Sequence, residues 1–402
     1  MHLFVHLNVH FAWSARKRWS RFVRIARANW CGVREERRLL PREPNMLTHH
    51  LQRMSAGAHL TRAETESVAE ELLAGKLNDA EIAELLSTLR IKGESVDELV
   101  GFATVMRRHA RPVFPDLKEA ERRSLASEMV DTCGTGGSGR NTFNISTAAA
   151  FVAAGAGVRV AKHGNRTSTS RSGSADVLEA LGVRVEIPIE QAGAAIMEVG
   201  VGFLFARTAH AAARHAAPAR KQLGGHTIFN LLGPLTNPAG AASQVLGVVH
   251  AKWVEPMANA LAELGTRHAF VVHGDDGLDE ISLSGETLVA EVGGPNQSAV
   301  ARGSEDSKVR MLRIAPEDFG VVRAPLTALV GGGPKENAAI IRAIFAGESG
   351  PRRDIVVINA AAALFVAGRA ANFREGAELA AASLDSGAAT KKLEALIEFT
   401  NR

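Results

Sequence analysis

The chain has 402 residues, 46% hydrophobic and 22% charged, an ordinary globular composition with room for two domains. Cys31 and Cys133 are its only cysteines, which excludes a disulfide framework and a cysteine metal cage. The net charge of +4 is concentrated in residues 1–45, with ten Arg or Lys against three Glu, so the remainder carries a balance of −3, which argues against a nucleic-acid-binding body.

The segment 1–45 is also rich in tryptophan, with Trp13, Trp19 and Trp30. It reads as a basic extension outside the fold, either a targeting segment or residues upstream of a native start at Met46. No apolar run in the chain reaches the roughly 18 residues needed to span a bilayer. A helical part then occupies 46–115. Thr61 with Glu64, Asn78 with Glu81, and Ser95 with Glu98 read as three capping boxes. Apolar residues follow each at helical spacing: Val68, Leu72 and Leu73; Ile82, Leu85, Leu86 and Leu89; Leu99, Phe102, Val105 and Met106. Gly75 and Gly93 are placed to end the first two helices. The two prolines of RPVFPDL (111–117) mark a linker.

From Met129 the pattern changes to short β-prone stretches alternating with helical ones. VRVA (158–161), VRVEI (183–187), VGFLFA (201–206), QVLGVVH (244–250) and HAFVVHG (268–274) read as strands. Helices are expected near 174–181, 190–199, 209–222 and 254–264, and from Pro334 onward, with a less regular portion near 283–330. The alternation predicts an α/β domain over 116–402 with a mainly parallel sheet, and the helices near 209–233 are candidates to pack on the helical domain.

DTCGTGGSGRNTFNIST (131–147) follows the strand-like EMVD and leads into a helix expected from Thr147. Glycines at the carboxyl end of a strand expose amides, and the helix N-terminus adds positive partial charge, so the natural ligand is phosphate or pyrophosphate. No GK[ST] follows, and no acidic residue ends a second strand about 20 residues on, so neither a P-loop nor a dinucleotide fingerprint is present. A structural turn is the alternative. KHGNRTSTSRSG (162–173) adds two early cations, an imidazole, an amide and five hydroxyls in one loop. HGDDGLDEIS (273–282) carries Asp275, Asp276, Asp279 and Glu280, either a solvated acidic turn or a site for Mg²⁺ shared with phosphates. Arg220 reads either as a surface cation or as a bidentate carboxylate clamp.

GTGGSGRNTFNIST, KHGNR, IFNLLGPLTNPAG and HGDDGLDEIS, in this order and spacing, resemble the anthranilate phosphoribosyltransferases over nearly all of 46–402. The resemblance implies a nucleoside phosphorylase-like phosphoribosyltransferase fold. It also implies transfer of the phosphoribosyl group of phosphoribosyl pyrophosphate (PRPP) to anthranilate in tryptophan biosynthesis, a homodimer, a cytoplasmic location and two Mg²⁺ ions per monomer. By resemblance, PRPP contacts fall to Gly134, Gly137, Ser138, Thr142, Asn144, Ile145, Ser146, Thr147, Lys162, His163, Gly164, Asn165, Arg166, Thr167, Ser168, Thr169, Ser170 and Ser174. Gly134, Asn165, His210 and Arg220 would hold anthranilate. Ser146, Asp279 and Glu280 would ligate metal, and Lys162 and Arg220 are the catalytic candidates.

Two departures from the family pattern stand out. Ser138 replaces a usual aspartate, which predicts altered Mg²⁺ dependence. FARTAHAAARH (205–215) has Arg207 at a usual proline, lacks a common second His beside His210, and has Ala213 in place of a bulkier residue, which recharges or widens the acceptor path. The alternatives are a same-fold enzyme with another acceptor, such as a pyrimidine nucleoside phosphorylase, and a non-catalytic nucleic-acid-binding homologue. The first is separated by a nucleoside phosphorolysis assay, the second by salt-dependent DNA binding.

Overall fold

The computed structural model describes residues 46–167, 171–294 and 309–402. The chain divides into two units, Met1–Thr48 and His49–Arg402. The basic extension at 1–45 lies outside the described residues, as do Ser168, Thr169 and Ser170. The second unit carries the sheet and the site.

Helix α1 (Met46–Ser55) comes before α2 (Arg62–Leu73), α3 (Asp79–Lys92) and α4 (Val96–Arg108). The last three start at the capping boxes expected for them. Each Thr61, Asn78 or Ser95 side chain accepts from the amide three residues on, and the Glu there reaches back to the cap amide. Each cap contributes about 1 kcal/mol, enough to fix where a short helix starts. Their inner faces bury Val68, Leu72, Ile82, Leu85, Leu86, Leu89, Leu99, Phe102 and Val105.

An unexpected helix, α5 (Glu119–Ser127), follows the proline-containing stretch. Leu125 is its one buried residue, so it carries almost no hydrophobic period. Glu119 pairs with Arg122 and Arg123 on its outer face.

The sheet has seven strands: β1 (Met129–Gly134), β2 (Arg159–Gly164), β3 (Val201–Phe205), β4 (Ser243–Gly247), β5 (His268–Gly274), β6 (Thr287–Gly293) and β7 (Val309–Ile314). Their order is β3-β2-β1-β4-β5-β6-β7. The first five run parallel, and β6 and β7 add antiparallel at one edge. The region expected to be irregular thus supplies two strands. The helices are α6 (Ile145–Gly155), α7 (Ser174–Leu181), α8 (Ile189–Glu198), a single turn α9 (Ala206–Ala209), α10 (Ala217–Leu223), α11 (Ile228–Leu235), α12 (Val254–Glu263), α13 (Pro334–Phe345), α14 (Pro351–Val366), α15 (Phe373–Asp385) and α16 (Ala388–Thr400). Alanines of α6 (Ala148–Ala154) and α14 (Ala360–Ala363) are buried in one core, where small side chains let helices approach closely.

Two further expectations fail for physical reasons. VRVEI (183–187) is not a strand. Val183, Val185 and Ile187 are buried while Arg184 and Glu186 are exposed, so its alternation records one-sided burial of a covering segment. The helix expected over 209–222 breaks at His210 (φ −115°, ψ 59°) into a 3₁₀ turn, Ala211–Ala216, and restarts as α10 with Pro218 in its first turn.

The topology decides where a ligand sits. From β1 the chain moves outward to β2 and β3, then returns to place β4 and β5 on the other side of β1. The crevice at the carboxyl ends of β1 and β4 is the switch point of this open sheet, where α/β proteins bind ligands.

Candidate active site

A cavity of about 730 Å³ opens at that switch point. Gly134, Gly137, Ser138, Thr142, Asn144, Ile145, Ser146, Thr147, Lys162, His163, Gly164, Asn165, Arg166, Thr167, Ser174, His210, Arg220, Asp279 and Glu280 all line it.

One end is built for an anion. After β1 the backbone turns left-handed at Gly136 (φ +66°), Gly137 (φ +90°), Gly139 (φ +68°) and Asn141 (φ 54°). Such turns converge amides into a concavity of positive potential, and the first turn of α6 adds its own free amides. The loop is held from a distance. Gly331 N donates to Asn141 O (2.8 Å), Thr142 bridges Val330, and Gly332 N donates to Asn337 Oδ1 (2.7 Å). Asn144 is the hub: its Oδ1 accepts from Asn337 Nδ2 (2.9 Å) and Ser172 Oγ (3.1 Å), and its Nδ2 donates to Ser172 O (3.1 Å). Asp176 in turn gathers the 165–173 loop, accepting from Thr167 N (3.1 Å) and Gly173 N (2.9 Å). The Arg166 guanidinium is committed to Glu179 and Glu186 and lies over the Phe205 ring.

Lys162 is buried at the cavity floor. It donates to Thr132 O, and stands 3.3 Å from Thr132 Oγ1 and 3.4 Å from Ser146 Oγ. Burial lowers its pKa, and the nearby Asp131 carboxylate opposes that shift. Asp131 accepts from His163 N (3.0 Å) and Asn237 Nδ2 (2.8 Å). This buried Lys162–Asp131–Asn237 group was invisible in sequence, because Asp131 and Asn237, though each sits in a conspicuous motif, lie 106 residues apart in the chain.

Asp279 and Glu280 are adjacent and half-buried, and Glu280 Oε1 accepts from Ser146 N (3.2 Å). Burial raises the Asp279 pKa while the Ser138 hydroxyl opposes it. Burial, and then the Asp279 charge, raise Glu280 to about 8. Their approach to β4 needs glycine. A Cβ on Gly247 would lie 1.7 Å from Asp279 O, and one on Gly134 would lie 3.4 Å from Asp279 Oδ2. Gly134 and Gly247 are register partners, so the ends of β1 and β4 form a trough with no side chains.

The other end presents an arginine, an aromatic ring and two imidazoles. The Arg220 guanidinium lies over the Phe229 ring, 5.1 Å from its centroid. Among the described residues no carboxylate pairs with it, and burial lowers its pKa with nothing opposing. His163 and His210 stand edge to face with centroids 5.2 Å apart. His163 Nδ1 bonds Gly233 O (3.0 Å), while His163 Nε2 and both His210 nitrogens are buried without a hydrogen bond of good geometry. Arg207, Ala213 and Arg214 line the same wall, and Phe229 and Gly233 of α11 complete it.

Burial holds the His163 pKa down to about 3. It holds that of His210 down to about 4, against weaker opposition from the Thr236 and Met106 backbone. Both rings are therefore neutral at physiological pH. Because the folded values lie below the unfolded one, near 6.5, the unfolded chain takes up these protons first as pH falls. Stability is unaffected above pH 6.5. Below it, each ring is expected to remove about 1.4 kcal/mol per pH unit until its folded pKa is reached. Urea midpoints measured from pH 7 to 5 check this: the wild type should lose stability more steeply than a His163→Asn, His210→Asn double variant. Parallel profiles would show that the rings are not held neutral.

Among the described residues no helix is long and apolar enough to cross a membrane. Residues 48–110 match the helical bundle domain of a glycosyl transferase family, and residues 126–390 match its α/β domain. Fold and site together define a glycosyl transferase of this two-part class. The anthranilate phosphoribosyltransferase of Symbiobacterium thermophilum is 49% identical over 352 residues, 88% of this chain and 97% of that protein. That of Rubrobacter xylanophilus is 49% identical over 358 residues, 89% of this chain and 98% of that protein. The crystal structure of the Thermus thermophilus enzyme superimposes with a TM-score of 0.77 at 44% identity, covering 88% of this chain and 99% of that one. The Saccharomyces cerevisiae enzyme, solved in complex with PRPP and Mg, gives 0.76 at 27% identity, covering 89% of this chain and 99% of that one. The chain belongs to the anthranilate phosphoribosyltransferase family.

Proposed function

We propose that this chain transfers the phosphoribosyl group of PRPP to anthranilate, releasing pyrophosphate and giving N-(5'-phosphoribosyl)anthranilate in tryptophan biosynthesis. The observation that carries the reading is a single cavity with an amide-lined anion end and, facing it, a largely buried Arg220 without an acidic partner among the described residues. PRPP fits the first and the anthranilate carboxylate the second. The reaction forms a bond from the anthranilate nitrogen to the anomeric carbon and breaks the bond from that carbon to pyrophosphate. An aromatic amine is already a nucleophile, so the harder tasks are alignment of two anions and stabilisation of the leaving group.

The residues present divide these tasks. The amides of 135–139 and the first turn of α6 bind phosphate oxygens, with Ser146 and Thr147 at that helix end. Lys162 places a cation at the floor. Arg220 holds the acceptor carboxylate against the Phe229 shelf, with Asn165 and His210 beside it. The neutral rings of His163 and His210 present nitrogens to the acceptor without adding charge.

The donor set of Asp279, Glu280 and Ser146 fits Mg²⁺: hard oxygens, on two half-buried carboxylates and a hydroxyl, with the charged forms of both carboxylates disfavoured by desolvation until a cation arrives. In this reading these residues hold two ions per monomer. The chemistry a bound Mg²⁺ supplies there is neutralisation of charge on the departing pyrophosphate. A homodimer in the cytoplasm completes the reading.

The test follows anthranilate by its own fluorescence, with PRPP and titrated Mg²⁺, on the protein from Met46. The signal should fall in a Mg²⁺-dependent manner. Asp279→Ala with Glu280→Ala should slow that fall by at least about 10²-fold, the scale on which removal of leaving-group stabilisation is felt. A folded protein that binds PRPP but consumes no anthranilate refutes the acceptor. An unchanged double variant refutes the metal site.

A further inference from the structure

The guanidinium of Arg107 is half-buried near the end of α4, and among the described residues no carboxylate pairs with it. Its partners are backbone carbonyls. Arg107 Nε donates to Leu235 O (2.8 Å), at the last residue of α11, and Nη1 donates to Leu264 O (3.2 Å), just past α12. Helix C-termini carry unpaired carbonyls and negative partial charge, so two of them together can host a cation away from water. The fork of an arginine spans both acceptors, which the single ammonium of a lysine does not.

This contact joins the bundle segment to the rest of the chain beside others of the kind, such as Arg90 Nη1 to Gly224 O (2.9 Å), but it alone of these carbonyl contacts grips the C-terminal ends of α11 and α12. Arg107 lies within the segment matching the helical bundle, while Leu235 and Leu264 lie within the segment matching the α/β domain. Its neighbour Met106 lines the cavity. The helix that Arg107 grips carries Phe229, the shelf under Arg220, and Gly233, whose carbonyl orients His163. The PRPP end is held by different contacts, from Asn144, Asn337 and Asp176.

We propose that Arg107 is a positioning residue for acceptor binding, locking the bundle to the C-terminal end of α11 so that Phe229, Arg220 and His163 keep their spacing. It touches neither substrate and acts through α11. The proposal rests on the functional reading above, since it needs anthranilate to occupy that end.

The test compares Arg107→Met and Arg107→Lys with the wild type, in the full chain, by steady-state kinetics and by calorimetry with PRPP. Arg107→Met should raise the KM for anthranilate about ten- to hundredfold, the scale of a small misplacement transmitted from outside the site. The Kd for PRPP should stay at the wild-type value. Arg107→Lys, reaching one carbonyl but not both, should fall between. Equal losses for both substrates, or a lower melting temperature with unchanged KM, overturn the proposal. If Arg107→Met does not fold, the same split in Arg107→Lys decides. A wild type that binds PRPP without consuming anthranilate overturns the functional reading and this inference with it. Wild-type turnover with unchanged variants overturns this inference alone.

Discussion

Gly247→Ala is expected to reduce turnover by at least about 10²-fold, because the added methyl displaces catalytic-site backbone by an ångström or more. The reason is space and not backbone conformation. The new Cβ would lie 1.7 Å from the carbonyl oxygen of Asp279 and 2.6 Å from its carbonyl carbon. Neither is a side-chain tip that can swing away. The segment carrying Asp279 and Glu280 must therefore retreat from β4. The amide of Thr135 donates to Gly247 O (2.9 Å), so the start of the phosphate loop is disturbed as well. Overpacking of this kind also costs about 1–3 kcal/mol of stability. Gly134→Ala provides the internal control. Its Cβ would meet Gly247 O at 3.2 Å and Asp279 Oδ2 at 3.4 Å, distances that small shifts relieve. Turnover and thermal unfolding of both variants check the order: Gly247→Ala should be the more damaging in each. A Gly247→Ala enzyme with wild-type activity would mean that the trough does not set the position of the carboxylates.

Arg220→Ala is expected to weaken anthranilate binding by roughly 2–5 kcal/mol, about 30- to 5,000-fold, the usual cost of removing one partner of a buried charge pair. In the free protein this guanidinium has an aromatic ring beneath it and no acidic partner among the described residues. Its desolvation is therefore offset only when an anion arrives. Arg220→Lys should recover part of the loss, since a lysine keeps the charge without the two-pronged geometry. PRPP affinity should be unchanged. Calorimetric titration with each ligand measures both quantities. Wild-type anthranilate affinity in Arg220→Ala would remove the carboxylate from this position and reopen the choice of acceptor.

Much of the fold was legible where the signal is local. Capping boxes join residues three apart, so Thr61, Asn78 and Ser95 could be read directly. The strands flanking the glycine loop announced themselves by short apolar runs followed by loop chemistry. Illegible features depend on pairing at long range. Nothing in VRVEI says that its alternation records one-sided burial and not pairing in the sheet. Helix α5 buries only Leu125 and so leaves no period to find. At the candidate site, the glycine, lysine and carboxylate motifs were conspicuous because each concentrates unusual residues in a short stretch. Asn337 and Arg107 were not, because each is an ordinary polar residue whose meaning lies in a partner 100 or more residues away, and Asp131 and Asn237, though inside conspicuous motifs, take their meaning from each other across 106 residues. Arg166 shows the converse: its place in a conspicuous motif suggested a phosphate contact, while its guanidinium is engaged by Glu179 and Glu186.

The long tether between Asn144 and Asn337 bears on how the protein is made. The glycine loop is synthesised early, but its clasp at 329–337 leaves the ribosome only after nearly two hundred further residues. The trough likewise waits for β4 and for Asp279. A nascent chain therefore carries the recognisable phosphate-binding sequence long before it has a place to put the ligand. Premature termination upstream of Asn337 leaves a fragment with most of the lining residues and no clasp to shape them. On the functional reading above, capture of the activated sugar phosphate is thus confined to chains extended past Asn337.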